Sequence, residues 1–308
     1  MDTLVLYYNK DMFKARAKQY EDVKNYDYAR KNFENPPLDW TSLINVSKEL
    51  TIKNGNNIER AGIAMGTANN VDKAQDILSV IMLQNGTKML SDDFQNANFN
   101  LSVKKDTGEL YYPGSKALDF YTAFANPSTD WYTWNKDMPN SVDAFAQGKA
   151  AMLINYPYLV GTFAKNNPNL NYGVAPLPQI YGADKSVDYA SYWVETVTNN
   201  SQNPEWAWDF LNYVSQNSVS SYLSATKRAG VVKVADSEVP LIRNRLDGNP
   251  LVFQQATAQT WYKGYYPNEI DSVINGMIDN VAISKQNTQN AIDKAASDVT
   301  SLLLKRPY

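Results

Sequence analysis

The stretch "AFAQGKAAMLINYPYL" (144–159) decides how this chain is expected to fold. A short helix is predicted with Ser141 as its N-cap, and Gly148 supplies the left-handed residue that ends it. The apolar run 150–154 then predicts a buried strand. The chain leaves this strand through Tyr-Pro-Tyr (156–158), which places two rings at the carboxyl end of a strand. Open α/β sheets tend to bind their ligands at that end, so the stretch indicates a binding cleft.

Strands and helices alternate on both sides of this stretch, which favours the α/β class. Further strands are predicted at 4–8, 60–65, 171–178 and 189–197. The predicted helices begin at Asp39 or Thr41, at Val71, at Ser115 and at Asn203-Pro204, followed by an interrupted helical region that reaches Leu246 and a pair of helices within 271–304.

The composition excludes several classes of function. The chain has 308 residues, 44% of them hydrophobic, and a formal net charge of −3 without a basic block. A sizeable core is therefore possible, while nucleic acid and membrane surfaces are not expected partners. The absence of cysteine and histidine excludes disulfides, histidine-based triads and zinc-hydrolase sites, and we expect no cofactor or metal. No run of about 18 apolar residues is present, so no transmembrane segment is expected.

Aromatic residues are the positive signal, with 7 Trp, 21 Tyr and 10 Phe. Their apolar faces and polar tips suit ligands such as sugars. We expect the loop that carries Trp131, Tyr132 and Trp134 to expose its rings as a binding surface. The amides of Asn69 and Asn70 either hydrogen-bond sugar hydroxyls or cap the following helix.

An ordered set of segments resembles the extracellular solute-binding proteins of sugar ABC transporters, the family that includes maltose-binding protein. The segments are the opening stretch together with "LYYNKDMF" (6–13), "PPLDWTSLINVSKELT" (36–51), "NYGVAPLP" (171–178) and "YWVETVTNNSQNPEWAWDFLNYV" (192–214). They cover most of the chain.

The resemblance implies a periplasmic-binding-protein type II-like fold, with two lobes joined by hinge crossovers. Residues 1–190 are then the main part of the second lobe, 191–258 a portion of the first, and 259–308 helices that return to the second. Family members carry a longer segment before the first strand, including an export signal and often a lipidated cysteine. We therefore expect a truncated chain with an incomplete first lobe, which binds ligand weakly or not at all by itself.

The resemblance also implies a function and a set of binding residues. Tyr158 occupies the family's sugar-stacking position, Trp193 lies where the chain crosses back toward the cleft, and Trp261 and Tyr262 come from the hinge. The implied function is non-enzymatic binding of a mono- or oligosaccharide, which is passed to the permease subunits of an ABC importer. A monomer outside the cytoplasm is expected.

Two alternatives remain at this point. A carbohydrate-active enzyme needs two carboxylates about 5 to 9.5 Å apart, and the candidates are Asp130, Asp137, Asp143 and Glu195. An interaction protein that keeps the fold as a scaffold needs a large flat apolar patch instead of a concave pocket.

Overall fold

The computed structural model describes residues 1–22, 26–192, 194–218 and 254–306, so the predicted helical region up to Leu246 lies largely outside it. The helices are α1 (Lys10–Asp22), α2 (Tyr26–Phe33), α3 (Trp40–Leu50), α4 (Ala74–Gln84), α5 (Pro113–Ala123), α6 (Ser141–Ala146), α7 (Leu159–Asn166), α8 (Pro204–Asn217), α9 (Pro267–Ala282) and α10 (Thr288–Leu304). The strands are β1 (Asp2–Thr3), β2 (Val5–Asn9), β3 (Ile52–Asn54), β4 (Asn57–Arg60), β5 (Val103–Lys104), β6 (Leu110–Tyr111), β7 (Met152–Asn155), β8 (Tyr172–Pro176), β9 (Asp188–Ser191) and β10 (Ala258–Gln259).

The central sheet has the order β7-β2-β8, and both outer strands run antiparallel to β2. Val5 pairs with Asn155 on one side and with Pro176 on the other. All residues of β7 are buried, as expected for a strand covered on both faces. The strands predicted at 150–154, 4–8 and 171–178 are therefore confirmed as the three strands of this sheet.

A cluster of aromatic rings lies against this sheet and fixes the turn after β7. The ring of Tyr7 lies 6.1 Å from that of Phe145, 5.7 Å from that of Phe163 and 5.9 Å from that of Tyr172. The Tyr7 hydroxyl donates to the carbonyl oxygen of Tyr156 at 2.9 Å. Burial raises the pKa of Tyr7 well above its ordinary value, so the hydroxyl remains a donor.

A second sheet, β1-β9-β10, joins segments that are distant in the chain. Strand β9 pairs antiparallel with β1 and parallel with β10. The longer strand predicted at 189–197 is wrong beyond Ser191, because residues 194–196 are exposed and have no strand partner among the described residues. The lobe boundaries expected near 190 and 258 fall at β9 and β10, and the division into lobes stays a prediction.

Helix α4 confirms the helix expected after Val71, but it begins later. Lys73 adopts a left-handed conformation with φ 61°, so regular helix starts at Ala74. Gly86, at φ 78°, follows the end of the helix as predicted. The strand expected at 60–65 is wrong, because β4 ends at Arg60 and only an isolated bridge follows, from Ala61 to Ala150.

The pair of helices predicted near the end of the chain is confirmed as α9 and α10. They pack against each other and against α5, and α9 also packs against α4. Both carry a buried apolar stripe at helical spacing. The buried residues are Ile270, Ile274, Met277, Ile278 and Ala282 in α9, and Ala291, Ile292, Ala295, Ala296 and Val299 in α10.

Helix α8 is confirmed with Pro204 in its first turn, but it contributes no buried residue. Trp206, Phe210 and Tyr213 are 75%, 65% and 66% exposed. These positions recur at helical spacing and form one face of the helix. Trp208, at 52% exposed, adds a fourth large ring to the surface of α8.

Gly62 lies at a close approach between the segment after β4 and helix α3. Its N–H donates to the hydroxyls of Thr133 at 2.7 Å and Thr51 at 3.0 Å. A Cβ atom at this glycine would lie 1.9 Å from the carbonyl oxygen of Ser47. The absence of a side chain at Gly62 is therefore a packing requirement.

We predict that Gly62→Ala destabilises the chain by about 3 kcal/mol or more, because a backbone segment must move to admit the methyl group. Gly161, within α7, has no atom within 4 Å of an added Cβ. Gly161→Ala is the matched control and is expected to stabilise by about 0.5–1 kcal/mol through helix propensity. Urea unfolding followed by circular dichroism measures both, and equal stabilities would contradict the packing argument.

Candidate functional site

An open pocket of about 610 Å³ lies where β9, the segment after β10 and the start of α9 meet. We call it the Lys263 pocket. Its aromatic lining residues are Tyr189, Tyr192, Trp261 and Tyr262, and its charged lining residues are Asp76, Lys263 and Asp271. Sites for small molecules commonly combine an apolar lining and a few convergent polar groups in volumes of about 300–1,000 Å³.

The ammonium group of Lys263 lies at the centre of this arrangement. Its Nζ lies 2.5 Å from Asp271 Oδ1 and 3.5 Å from Asp76 Oδ1. The same atom lies 5.4 Å from the ring centroid of Trp261 and 5.9 Å from that of Tyr189, within range of cation–π attraction. One cation therefore holds α4, α9 and two aromatic walls together.

Burial sets the electrostatics of this cluster. It opposes the charge of Lys263, but Tyr189, Asp76 and Asp271 outweigh it and raise the pKa of the ammonium above its ordinary value. Burial also raises the pKa of Asp76, while Lys263 and Tyr156 act in the opposite direction. Burial raises the pKa of Tyr189 to about 12, so its hydroxyl is protonated at neutral pH.

The start of α4 connects the Lys263 pocket to the turn after β7. Asp76, in the first turn of α4, accepts from the hydroxyl of Tyr156 at 2.9 Å. Just before the helix, Asp72 Oδ2 accepts from Asn155 Nδ2 at 2.9 Å and from the hydroxyl of Tyr158 at 3.2 Å. Tyr156 is buried, whereas Tyr158 is 43% exposed and offers part of its ring to solvent.

Trp261 and Tyr262 both line the Lys263 pocket. Trp261 is 7% exposed, and its indole N–H donates to Ser79 Oγ at 3.2 Å. Tyr262 is half exposed, and its ring meets that of Phe94 edge-on. Trp193 lies outside the described residues.

The expectation of exposed rings in the loop after α5 is wrong. Trp134 is fully buried and Tyr132 is 5% exposed, and the indole N–H of Trp134 donates to Asn70 Oδ1 at 2.9 Å. Trp131 is partly buried and stacks on Phe124. The three rings of this loop therefore pack toward the interior, and none of them lines the Lys263 pocket.

The side-chain amide of Asn70 makes four hydrogen bonds within the protein. Its Nδ2 donates to the carbonyl oxygens of Asn135 and Met138, and its Oδ1 accepts from Thr67 as well as from Trp134. For Asn70, these hydrogen bonds within the loop leave no amide group available for the two roles that the sequence left open, sugar binding and helix capping. For Asn69 both roles stay predictions. Asn69 is exposed.

Asp130, Asp137, Asp143 and Glu195, the carboxylates considered for an enzyme, are all exposed. None of them lines the Lys263 pocket. The structure thus gives no support to an enzymatic carboxylate pair formed by these residues.

The sequence analysis did not identify Asp72, Asp76, Lys263 or Asp271. Asp72 precedes the left-handed Lys73, whereas Asp76 lies in the first turn of α4, so their four-residue spacing is not a helical one and gives no local signal. Lys263 is a lone cation within the aromatic run "WYKGYY" (261–266). Nothing in the sequence indicates that it meets Asp76, which lies far away in the chain.

Over the part of the chain that the structure describes, no helix combines the length and apolar character needed to cross a bilayer. The described ranges also contain no group of three or more His, Cys, Asp or Glu side chains that could hold a metal ion.

Comparison with known proteins agrees with the family resemblance seen in the sequence. Residues 1–219 match the family model described as bacterial extracellular solute-binding protein. A binding protein of Brucella abortus is 25% identical over 224 residues, which are 68% of this chain and 44% of the relative. The maltodextrin-binding protein MdxE of Bacillus subtilis is 23% identical over 229 residues, 72% of this chain and 46% of the relative. The chain thus spans about half the length of these relatives.

Among solved structures, the sugar-binding protein MalE from Xanthomonas citri superposes with a TM-score of 0.69 at 19% identity. The superposition covers 98% of this chain and 69% of that one. At this identity the likeness establishes the fold.

We predict that Lys263→Met destabilises the chain by about 3–5 kcal/mol, because it leaves Asp76 buried without its cation. The double variant Asp76→Asn, Lys263→Met removes both charges and is expected to recover part of this loss. Lys294→Met breaks an exposed pair with Asp298 in α10 and serves as the control, with an effect within about 0.5 kcal/mol. Urea unfolding measures all three, and a Lys263→Met loss no larger than that of the control would contradict the assignment.

Proposed function

The chain belongs to the bacterial extracellular solute-binding protein family and has the type II periplasmic-binding-protein fold of MalE-like proteins, and we propose that it binds a carbohydrate in and beside the Lys263 pocket. The observation that carries this proposal is the pocket itself, with aromatic walls and charged groups in a volume that fits a small saccharide. Two similar proteins, the maltodextrin-binding protein MdxE and the sugar-binding protein MalE, favour the same class of ligand.

The chemistry of the pocket suits a polyhydroxylated ligand. Aromatic faces pack on the C–H surface of a sugar ring, while carboxylates accept hydrogen bonds from its hydroxyls. Asp271, whose side chain is 28% exposed, is the more accessible carboxylate, and Asp76 is committed to Tyr156 and Lys263. Tyr262 supplies an exposed ring at the same pocket.

Tyr158 extends the proposed site beyond the pocket. Its hydroxyl is held by Asp72, and burial, followed by that carboxylate, raises its pKa to about 12. The hydroxyl is therefore neutral and the ring is oriented in advance, with part of its surface exposed. We assign it the role of a stacking platform for the sugar.

The proposed role of the chain is that of a non-enzymatic receptor. It captures the solute outside the cytoplasm, two lobes close over it, and the closed form delivers it to the permease subunits of an ABC importer. Trp261, Tyr262 and Tyr158 are the proposed contacts on the described part of the chain.

The interaction-protein alternative is favoured by one observation, the exposed aromatic face of α8. Trp206, Phe210 and Tyr213 on this face do not line the Lys263 pocket, so the two candidate functions can be tested on separate residues.

Because the first lobe is expected to be incomplete, we predict weak but saturable binding, seen as a change in tryptophan fluorescence when the chain is titrated with maltotriose up to high concentration. Tyr158→Ala removes the platform and is expected to weaken binding at least about tenfold, since a buried aromatic contact is worth about 1.5–3 kcal/mol. Tyr158→Phe keeps the ring and is expected to retain most of the affinity.

Tyr181→Ala is the matched control, because Tyr181 is 82% exposed and does not line the pocket. The same titration with maltose tests ligand length. The proposal is wrong if the unmodified chain shows no saturable response to either sugar, and the role of Tyr158 is wrong if its alanine variant binds like the control.

A further inference from the structure

A second pocket of about 550 Å³ lies between α1, the end of α3 and the β3–β4 hairpin. It shares no lining residue with the Lys263 pocket. Its charged lining residues are Arg16, Lys48, Glu49, Arg60 and Asp130. We call it the Arg60 pocket.

Glu49 is already committed within this pocket. Its Oε2 accepts from Arg16 Nε at 3.1 Å, from Arg16 Nη2 and from the hydroxyl of Tyr20 at 2.8 Å. Arg16 Nη1 donates to Gln19 Oε1 at 2.6 Å. Burial disfavours the carboxylate, but these donors outweigh it and lower the pKa of Glu49. Arg16 and Glu49 thus neutralise each other.

Arg60 has no such partner. Its Nε donates to the carbonyl oxygen of Leu50 at 3.1 Å, which satisfies the end of α3. Neither Nη1 nor Nη2 has a hydrogen-bond or ion-pair partner among the described residues. Burial and then the nearby charge of Arg16 lower the pKa of its guanidinium, as expected for a partly buried cation beside a like charge.

Lys48 is also only weakly compensated. Its Nζ lies 3.5 Å from Asp130 Oδ2, and the side chains are 40% and 87% exposed. Exposed pairs of this kind contribute little. The lining carries three cations and two carboxylates, a formal charge of +1 in a chain whose net charge is −3. The pocket is therefore a concave site that is locally positive.

We propose that the Arg60 pocket binds a small molecule carrying an oxyanion, a carboxylate or a phosphate group. The Nη1 and Nη2 groups of Arg60 form the planar fork that matches two oxygens of such an anion, and Lys48 adds a second cation. Capping of α3 uses only the Nε of Arg60, so the structural role of this residue leaves its fork available. The volume admits an organic skeleton attached to the anionic group.

The test is isothermal titration calorimetry of the full chain with inorganic phosphate and, in a separate experiment, with succinate, both at low ionic strength. We expect saturable binding of at least one anion. Arg60→Gln removes the charge and the fork and is expected to weaken binding at least about tenfold, as for the loss of a charge-assisted hydrogen-bond pair. Lys48→Gln is expected to weaken it by a smaller but measurable factor.

Lys104→Gln is the matched control, because this substitution removes the same charge as Lys48→Gln. Lys104 is exposed on β5 and does not line the pocket. Binding of phosphate alone identifies a phosphate site, and binding of succinate alone or of both identifies a carboxylate-accepting site. If Arg60→Gln loses its native circular dichroism, Lys48→Gln decides the test. Absence of saturable binding by both anions, or equal affinities of Lys48→Gln and Lys104→Gln, overturns the proposal.

Discussion

The candidate site depends on one cation held between two carboxylates. Lys263 joins Asp76 in the first turn of α4 to Asp271 in α9, and the rings of Trp261 and Tyr189 lie close to its ammonium group. Leaving any of these charges unpaired in a buried setting costs free energy. The ion pairs therefore hold α4, α9 and the segment that carries Lys263 in one arrangement. The pocket that results presents aromatic walls and a partly exposed carboxylate to solvent.

The same helix start links this cluster to the centre of the fold. Asp76 accepts from Tyr156, whose carbonyl oxygen accepts from Tyr7 in the middle strand of the central sheet. Asp72 holds Asn155 and Tyr158. The buried strand β7 and its Tyr-Pro-Tyr turn are therefore positioned from both sides, by the aromatic core and by α4. A rigid turn of this kind suits a receptor that stacks a ring on its ligand.

Local signals in the sequence predicted much of the fold. The strands β2, β7 and β8, the stop at Gly86 and the stripes of α9 and α10 follow from short-range periodicity and glycine chemistry. The errors arise where distant contacts decide. Trp134 lies in a polar loop, yet its ring is buried and its indole N–H donates to Asn70. The pairing of Lys263 with Asp76 likewise leaves no local signal in the sequence. The family resemblance suggested Tyr158, Trp261 and Tyr262, whose contacts with a ligand stay predictions, whereas the charged centre required the three-dimensional structure.

The most direct test of a carbohydrate site at Lys263 is ¹⁹F NMR of the chain labelled with 5-fluorotryptophan and titrated with maltotriose. The chain has 7 tryptophans, and Trp261→Phe assigns the relevant resonance. Our account predicts that the Trp261 signal shifts saturably, while the signals of Trp40 and Trp134, which do not line the Lys263 pocket, stay in place. A Trp261 signal that does not move while other tryptophans respond, or a spectrum that does not change at any sugar concentration, would contradict it.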